Sequence, residues 1–481
     1  MRRIGINMIN ILKRRSIDAT KGPILSQFIL FALPIAIGGI IQSLFNAADM
    51  IVLGNYATSV QVASVGATTV IISLLIQTCI GLSGGAQVVL SQSFGEGETE
   101  KIRKATNTTL WIAIVLGILV TAVAIPASET LLRVTKCPDE CFVDAAAYLK
   151  IYFAAAPAIL IYNYGGAIIR SSGDSQRPLY YLIASGVLNV VLNFILCIVL
   201  SQKVLAVAIA TLASQVLGAA LVIIHLVKTE APCRLTLKGF LPDGKILSKI
   251  MLIGIPSALS SALYPLSNMQ IQSAINSFGY SATAGNAAAT SIEAFVFCFN
   301  GAVGTAALTF VGQNYGAKKP ERIRETVRKG LLVAVATGFV LGYLCLFLGR
   351  FALKAYLPED VEAISYGMVR FKYLMTVFFI TTFGNILSNV LAAFGYSVLG
   401  MANSLVSVIG LRMIWMAFIF PMHPTFEVLF QCYTISWSLS SGIFLIMFAI
   451  VYPRKLRKMK AYAEAPAGGE PPLTNCRDTT L

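Results

Sequence analysis

The sequence predicts an all-α membrane protein in which twelve transmembrane helices form two six-helix bundles related by an internal parallel repeat. Three observations carry that prediction. Of 481 residues, 56% are hydrophobic and only 12% are charged, about half the charge of an ordinary soluble domain. Twelve separate stretches are long and apolar enough to cross a bilayer, which takes about 20 residues because unpaired backbone groups are intolerable in hydrocarbon. Sliding the chain along itself by 221 or 222 residues also brings its halves into register. Ile24-Leu25-Ser26 and Pro34 meet Ile246-Leu247-Ser248 and Pro256, Gln92-Ser-Phe-Gly95 meets Gln313-Asn-Tyr-Gly316, and Glu100-Lys-Ile-Arg103 meets Glu321-Arg-Ile-Arg324. Six spans separate one start from the next, so the halves share one orientation and their axis runs along the membrane normal. That arrangement places a cavity between two bundles.

Residues 1–23 form a basic segment. Ile4 to Leu12 is interrupted by Asn7 and Asn10 and followed by Lys13, Arg14 and Arg15, so it reads as a retained flank on the membrane face rather than a cleaved signal. The first bundle, 24–228, holds spans at 25–53, 61–90, 106–128, 146–169, 179–200 and 205–227. The first span carries Pro34 as a candidate hinge and then Gln42, Asn46 and Asp49 at i, i+4 and i+7, one stripe of one helix face. An acid inside a span is costly and is a functional candidate by default. Asp49 lies just before Gly54 and is expected in the outer half of the membrane, facing a wet interior. Gly81, Gly84 and Gly85 in the second span suit close helix packing. Asn189 and Asn193 share a face of the fifth span, and Thr211 in the sixth adds a hydroxyl. One carboxylate among neutral oxygens suits a proton or a hard monovalent cation and is too little charge for a divalent site.

Residues 229–245, with Pro232, Pro242 and Gly244, read as a cytoplasmic linker. The second bundle, 246–453, holds spans at 247–277, 284–312, 330–349, 366–394, 401–421 and 427–452. Its first span repeats the polar stripe as Ser257, Ser261, Tyr264 and Asn268, with Pro256 as the second candidate hinge, but Ile271 stands where Asp49 would map. The acid of this half is Glu293, flanked by Asn286, Thr290 and Asn300 and read here as a cavity residue or as an acid hydrogen-bonded between helices. Arg412 is read as the one basic residue well inside a span. Residues 454–481 form a basic cytoplasmic tail expected to be disordered.

Of the 37 Lys and Arg, 28 fall on the segments that are internal if both termini are cytoplasmic, and 8 on the outer ones, Arg370 and Lys372 included. Cytoplasmic loops carry that excess, so the net charge of +15 needs no nucleic-acid partner. Two His and scattered Cys offer no metal cluster, and Cys137 and Cys141 in an outer loop are either a disulfide or two thiols. HExxH and a phosphate-binding GxxxxGK[ST] loop are both missing. The reading is therefore a transporter without cofactor, not an enzyme, and ATP is not its energy source.

The chain resembles the multidrug and toxic compound extrusion (MATE) transporters, especially the branch common in anaerobic Gram-positive bacteria. The likeness runs from Asp18 to about Pro453. It rests on Asp18-Ala-Thr-Lys-Gly22 before Pro34, Gln42-Ser-Leu-Phe-Asn-Ala-Ala-Asp49 with Val52-Leu-Gly54, Gln313-Asn-Tyr-Gly-Ala317, Arg170-Ser-Ser-Gly173-Asp174 with Pro178, and Ser291-Ile-Glu293-Ala-Phe295. The resemblance implies two six-helix lobes around a cavity in a monomer of the cell membrane. It implies export of small organic, cationic or amphipathic substrates, driven by Na⁺ or H⁺. It places a cation-coupling site at Asp49, Asn189, Asn193 and Thr211, with Asn where some relatives carry Asp at position 193. It also places cavity residues at Tyr264 and Asn385, where other members carry acids, so a second cation site is not expected. With Gln42, Asn46, Asn268 and Glu293 these form the expected substrate cavity. Two other readings stay open: a lipid-linked oligosaccharide flippase, which would want more cavity cations than Arg412 supplies, and a non-transporting scaffold.

Overall fold

A computed structural model describes residues 16–236 and 240–464. The stretch before Ser16 and the tail beyond Glu464 lie outside the described residues. Among the described residues the regular structure is entirely helical. The first half contains α1 (Ile24–Tyr56), α2 (Ser59–Glu96), α3 (Thr99–Val134), α4 (Asp139–Ala154), α5 (Ala156–Ser171), α6 (Gln176–Val199) and α7 (Lys203–Lys228). The second contains α8 (Gly244–Asn276), α9 (Tyr280–Gly316), α10 (Pro320–Tyr356), α11 (Val361–Met375), α12 (Phe378–Ala393), α13 (Ser397–Met422) and α14 (Phe426–Glu464).

Among the described residues ten helices are long and apolar enough to cross a membrane alone, and two bent pairs, α4 with α5 and α11 with α12, make twelve spans when each pair counts once. The pairs occupy equivalent places in the two halves and bend by 44° and 46°. In the first half Pro157, which has no N–H to donate, sits just inside α5 and ends the hydrogen-bond ladder. In the second, the break falls at Thr376 and Val377 with no proline. Polar caps outside the apolar runs start several helices: Thr58 and Gln61 form a reciprocal capping box at α2, and Asp243 and Asp360 accept first-turn N–H groups of α8 and α11, satisfying donors that the helix start leaves open. Large apolar side chains such as Ile51, Phe347 and Phe351 stand more than 60% exposed on the outer faces, as they should where lipid is the solvent.

The halves meet through glycine. A Cβ on Gly81 would fall 2.5 Å from Ala258 Cα, and one on Gly85 would fall 2.5 Å from Gly254 N, so α2 and α8 cross with their backbones in contact. Where α2 and α9 end, the contact is reciprocal: a Cβ on Gly95 would meet Gln313 O at 1.9 Å, and one on Gly316 would meet Gln92 O at 1.9 Å. The side-chain amides repeat the symmetry, Gln92 Nε2 donating to Ala393 O and Gln313 Nε2 to Ser171 O, both at 2.8 Å. This end of the molecule is sealed.

An amino-terminal turn lies over the seal. Ile17 N donates to Gly173 O of the first half. Ala19 N donates to Gln313 Oε1, while Asn314 Nδ2 and Arg322 Nη2 donate to Ala19 O. Asp18 fixes the turn by accepting from the Thr20 amide and hydroxyl. Partial burial works against its charge, but those bonds and the Lys21 ammonium hold its carboxyl below the usual carboxylate range.

Candidate functional site

A cavity of about 450 Å³ opens within the first half, walled by α1, α2, α4 to α7 and by Gln42, Asn46 and Asp49 of the α1 stripe. The three-residue stripe therefore does face a cavity. Asp49 Oδ1 accepts from Asn193 Nδ2 at 2.5 Å, and the same amide lies 3.3 Å from Asn189 Oδ1. Asn189 and Asn193 are buried because they sit one turn apart on the inner face of α6. Asn193 Oδ1 is enclosed and has no hydrogen-bond partner among the described residues, so Asp49, Asn189 and Asn193 bring three oxygen-bearing side chains together with an acceptor to spare, and Thr211, beside the Tyr148 phenol, belongs to the same cavity wall. Asp49 is part-buried, and no ion pair among the described residues involves it. A hard monovalent cation is bound by such oxygens, and a proton would satisfy the lone carboxylate equally. Neither is a resident cofactor, and no group of three His, Cys, Asp or Glu with metal spacing occurs among the described residues.

The carboxyl-half residues are arranged differently. None of Tyr264, Asn268, Glu293 and Asn385 lies in the wall of this cavity or of a second one between the halves. Glu293 is 2% exposed and is gripped by Arg370, Nε to Oε1 at 3.0 Å and Nη2 to Oε2 at 2.7 Å. Arg370 Nη1 also donates to Asn286 at 2.7 Å. Arg370, read from sequence as the flank of an outer loop, is thus a buried ion-pair partner. Arg412 meets no carboxylate: Nε donates to Ser436, Nη1 to Ser267 and Asn268, and the guanidinium lies 4.2 Å from the Tyr433 ring centre. Asn385 donates to Asn300 and receives from Asn389. Pro34 and Pro256 sit within unbroken helices, and Cys137 and Cys141 are free thiols.

The second cavity, about 260 Å³, lies between the halves and is walled by α2, α5, α8, α9, α12 and α13. Its one basic wall residue is Arg170, which sequence reasoning placed in a loop. The cavity cation is therefore Arg170 and not Arg412. Its position as the penultimate residue of an apolar run hid it, because hydropathy cannot separate a span's last turn from the loop after it.

Comparisons with known proteins agree with this architecture. The MatE family model matches residues 34–195 and 256–418, its two matches beginning at the repeat-related Pro34 and Pro256. The probable multidrug resistance protein YoeA of Bacillus subtilis is 25% identical over 69% of this chain and 73% of its own length. The multidrug export protein MepA of Staphylococcus aureus is 21% identical over 78% of this chain and 83% of its own. Among solved structures, a multidrug resistance MATE family transporter of the MOP superfamily in its outward-facing conformation superposes with a TM-score of 0.84 at 21% identity, covering 93% of this chain and 99% of the other. A MOP superfamily transporter from Pyrococcus furiosus, whose structure was described as having a binding pocket of reversed polarity that suggests a different function, superposes with a TM-score of 0.83 at 20% identity over 94% and 99%.

Proposed function

This chain belongs to the MATE family of membrane transporters, and from that premise we propose that it is a multidrug or metabolite exporter working by Na⁺- or H⁺-coupled antiport and alternating access. It is read as a multi-pass monomer of the cell membrane with both termini cytoplasmic, acting on small organic, cationic or amphipathic compounds. The relatives named for multidrug resistance and export support the cargo class. The observation that carries the coupling is Asp49: a carboxylate at a cavity wall that Thr211 also lines, free of any cationic partner among the described residues, beside the side chains of Asn189 and Asn193.

Moving one elementary charge through 100 mV is worth about 2.3 kcal/mol, and at about 1.4 kcal/mol per tenfold one ion sustains a cargo gradient of roughly 50-fold. One carboxylate is enough. Cation binding at Asp49 draws the α1 stripe onto α6, with Pro34 and Pro256 as hinges, and lowers the affinity of the cavity around Gln42 and Asn46 for cargo. By reciprocity, cargo weakens cation binding by the same factor. The glycine-built seal where α2 and α9 end must part for the opposite face to open. A flippase of lipid-linked oligosaccharides needs more cavity cations than Arg170 alone, and a scaffold needs no open carboxylate. In vesicles under an imposed Na⁺ or pH gradient, Asp49→Asn is expected to abolish driven efflux of dyes. Efflux at the wild-type rate would remove Asp49 from the coupling role, and no dye flux by the wild type under either gradient would favour the scaffold.

A further inference from the structure

We propose that the cavity between the halves is a subsite for the acidic group of an amphipathic substrate, a carboxylate or a phosphate ester, with Arg170 as its charge partner. The proposal rests on the transport reading and narrows its cargo.

Among the described residues three guanidinium groups lie inside the helical body, and their surroundings differ in one respect. Arg370 is neutralised by Glu293. Arg412 is fully enclosed by hydroxyls, an amide oxygen and the Tyr433 ring. Arg170 has neither arrangement. Its Nε is buried with no hydrogen-bond partner, no ion pair or side-chain hydrogen bond is made by its terminal nitrogens among the described residues, and the residue lines the cavity. Gly166, one turn earlier on α5, makes room for it: a Cβ there would stand 3.0 Å from Arg170 Nη1.

The rest of the wall suits an anion. Ser261 of α8 supplies a hydroxyl donor, while Ser257, Ser260, Thr305 of α9 and Asn389 of α12 add polar wall whose hydroxyls and amide are bonded within the protein, and no carboxylate lines the cavity among the described residues. A guanidinium presents a planar fork of donors that matches two oxygens of a carboxylate or phosphate at once. An ionisable side chain in a membrane interior marks a functional site whose partner has to be named. Here the described residues supply no partner, and the ligand takes that place. The site has a floor, because Ser171, the residue after Arg170, is bonded to Ser91, to Gln87 O and to Gln313 Nε2. It also abuts the Asp49 cavity, since Ile80 belongs to both walls.

The probe is a pair of ligands differing only in charge: 11-(dansylamino)undecanoic acid and its methyl ester, titrated by fluorescence against the purified full-length protein in a neutral detergent. Wild type is expected to bind the acid at least tenfold more tightly than the ester. Arg170→Gln should erase that preference, and Arg170→Lys should retain part of it. Ser261→Asp, which adds a carboxylate to the wall and keeps Arg170, should weaken the acid and spare the ester, giving a second route if Arg170→Gln does not fold. Equal binding of acid and ester by wild type, or an undiminished preference in Ser261→Asp or in folded Arg170→Gln, overturns the subsite. Competition by phosphatidylglycerol identifies a lipid headgroup as the occupant, and its absence identifies a soluble acid; both uphold the acidic-group subsite. In vesicles, a charge preference in binding without gradient-driven movement of the acid would leave the subsite standing and sink the transport reading.

Discussion

The two halves place charge inside the membrane in opposite ways. In the first, Asp49 stands at a cavity wall with one amide donor and spare oxygens beside it. In the second, Ile271 fills the equivalent position and is completely buried, while Glu293 is matched by Arg370 and Arg412 by neutral oxygens. The helices are the same in number and order, so the difference lies in a handful of side chains. A duplicated scaffold can leave an acid unpaired at a cavity wall in one copy and pair it with a buried guanidinium in the other. A charge completed by its own protein has nothing left to offer a visitor.

The comparison breaks most visibly if the two acids are neutralised in parallel. Asp49→Asn is expected to remove ion-driven efflux altogether and leave thermal melting in detergent close to wild type. Glu293→Gln should do the reverse, because it strands Arg370 in a dry interior, at a cost of about 3–5 kcal/mol. That should appear as a lower melting temperature and reduced yield. The double variant Glu293→Gln with Arg370→Met should recover much of the loss, since removing both charges is far milder than removing one. No recovery would mean that the pair does more than balance itself.

Arg412→Met tests the other closed charge and should be gentler. It leaves the Asn268, Ser267 and Ser436 oxygens short of one donor, costing about 1–3 kcal/mol, again read by melting. A loss of ion coupling with unchanged melting would show that the second half takes part in the exchange after all. The reciprocal glycines sharpen the comparison in another direction: Gly95→Ala and Gly316→Ala each drive a Cβ into the facing backbone, so both should raise the labelling rate of a cysteine placed at the seal, and by similar factors. At the small end, Lys150→Ala, which breaks the exposed pair with Glu129, should leave melting and efflux unchanged, as exposed pairs contribute little.

How much of this could be read from the chain follows from the range of each signal. Spans are legible because apolar character sums over twenty residues, and all twelve have a counterpart. Their ends are less so: α3 begins at Thr99 and α10 at Pro320, earlier than the apolar runs, because the added turns are polar and hydropathy is silent there. The Asp49 cluster was foreshadowed by an acid in a span and by the four-residue spacing of Asn189 and Asn193, both local patterns. The Glu293–Arg370 pair joins residues 77 apart on different helices, and no periodicity records such a meeting. The bend before Pro157 had a proline to announce it, whereas the matching break at Thr376 had none. Two π-helical segments, Leu405–Gly410 and Trp415–Ile419, flank Arg412 in α13. Extra residues per turn of that kind change which side chains face inward without leaving a mark in composition.

The turn from Ile17 to Gly22 straddles the seam between the halves, bonded to Gly173 on one side and to Gln313, Asn314 and Arg322 on the other. A force applied to this turn would bear on both halves at once. If the halves separate as proposed, a rigid reporter anchored at Ile17 would act as a brake, and labels on the opposite end of the polypeptide avoid it.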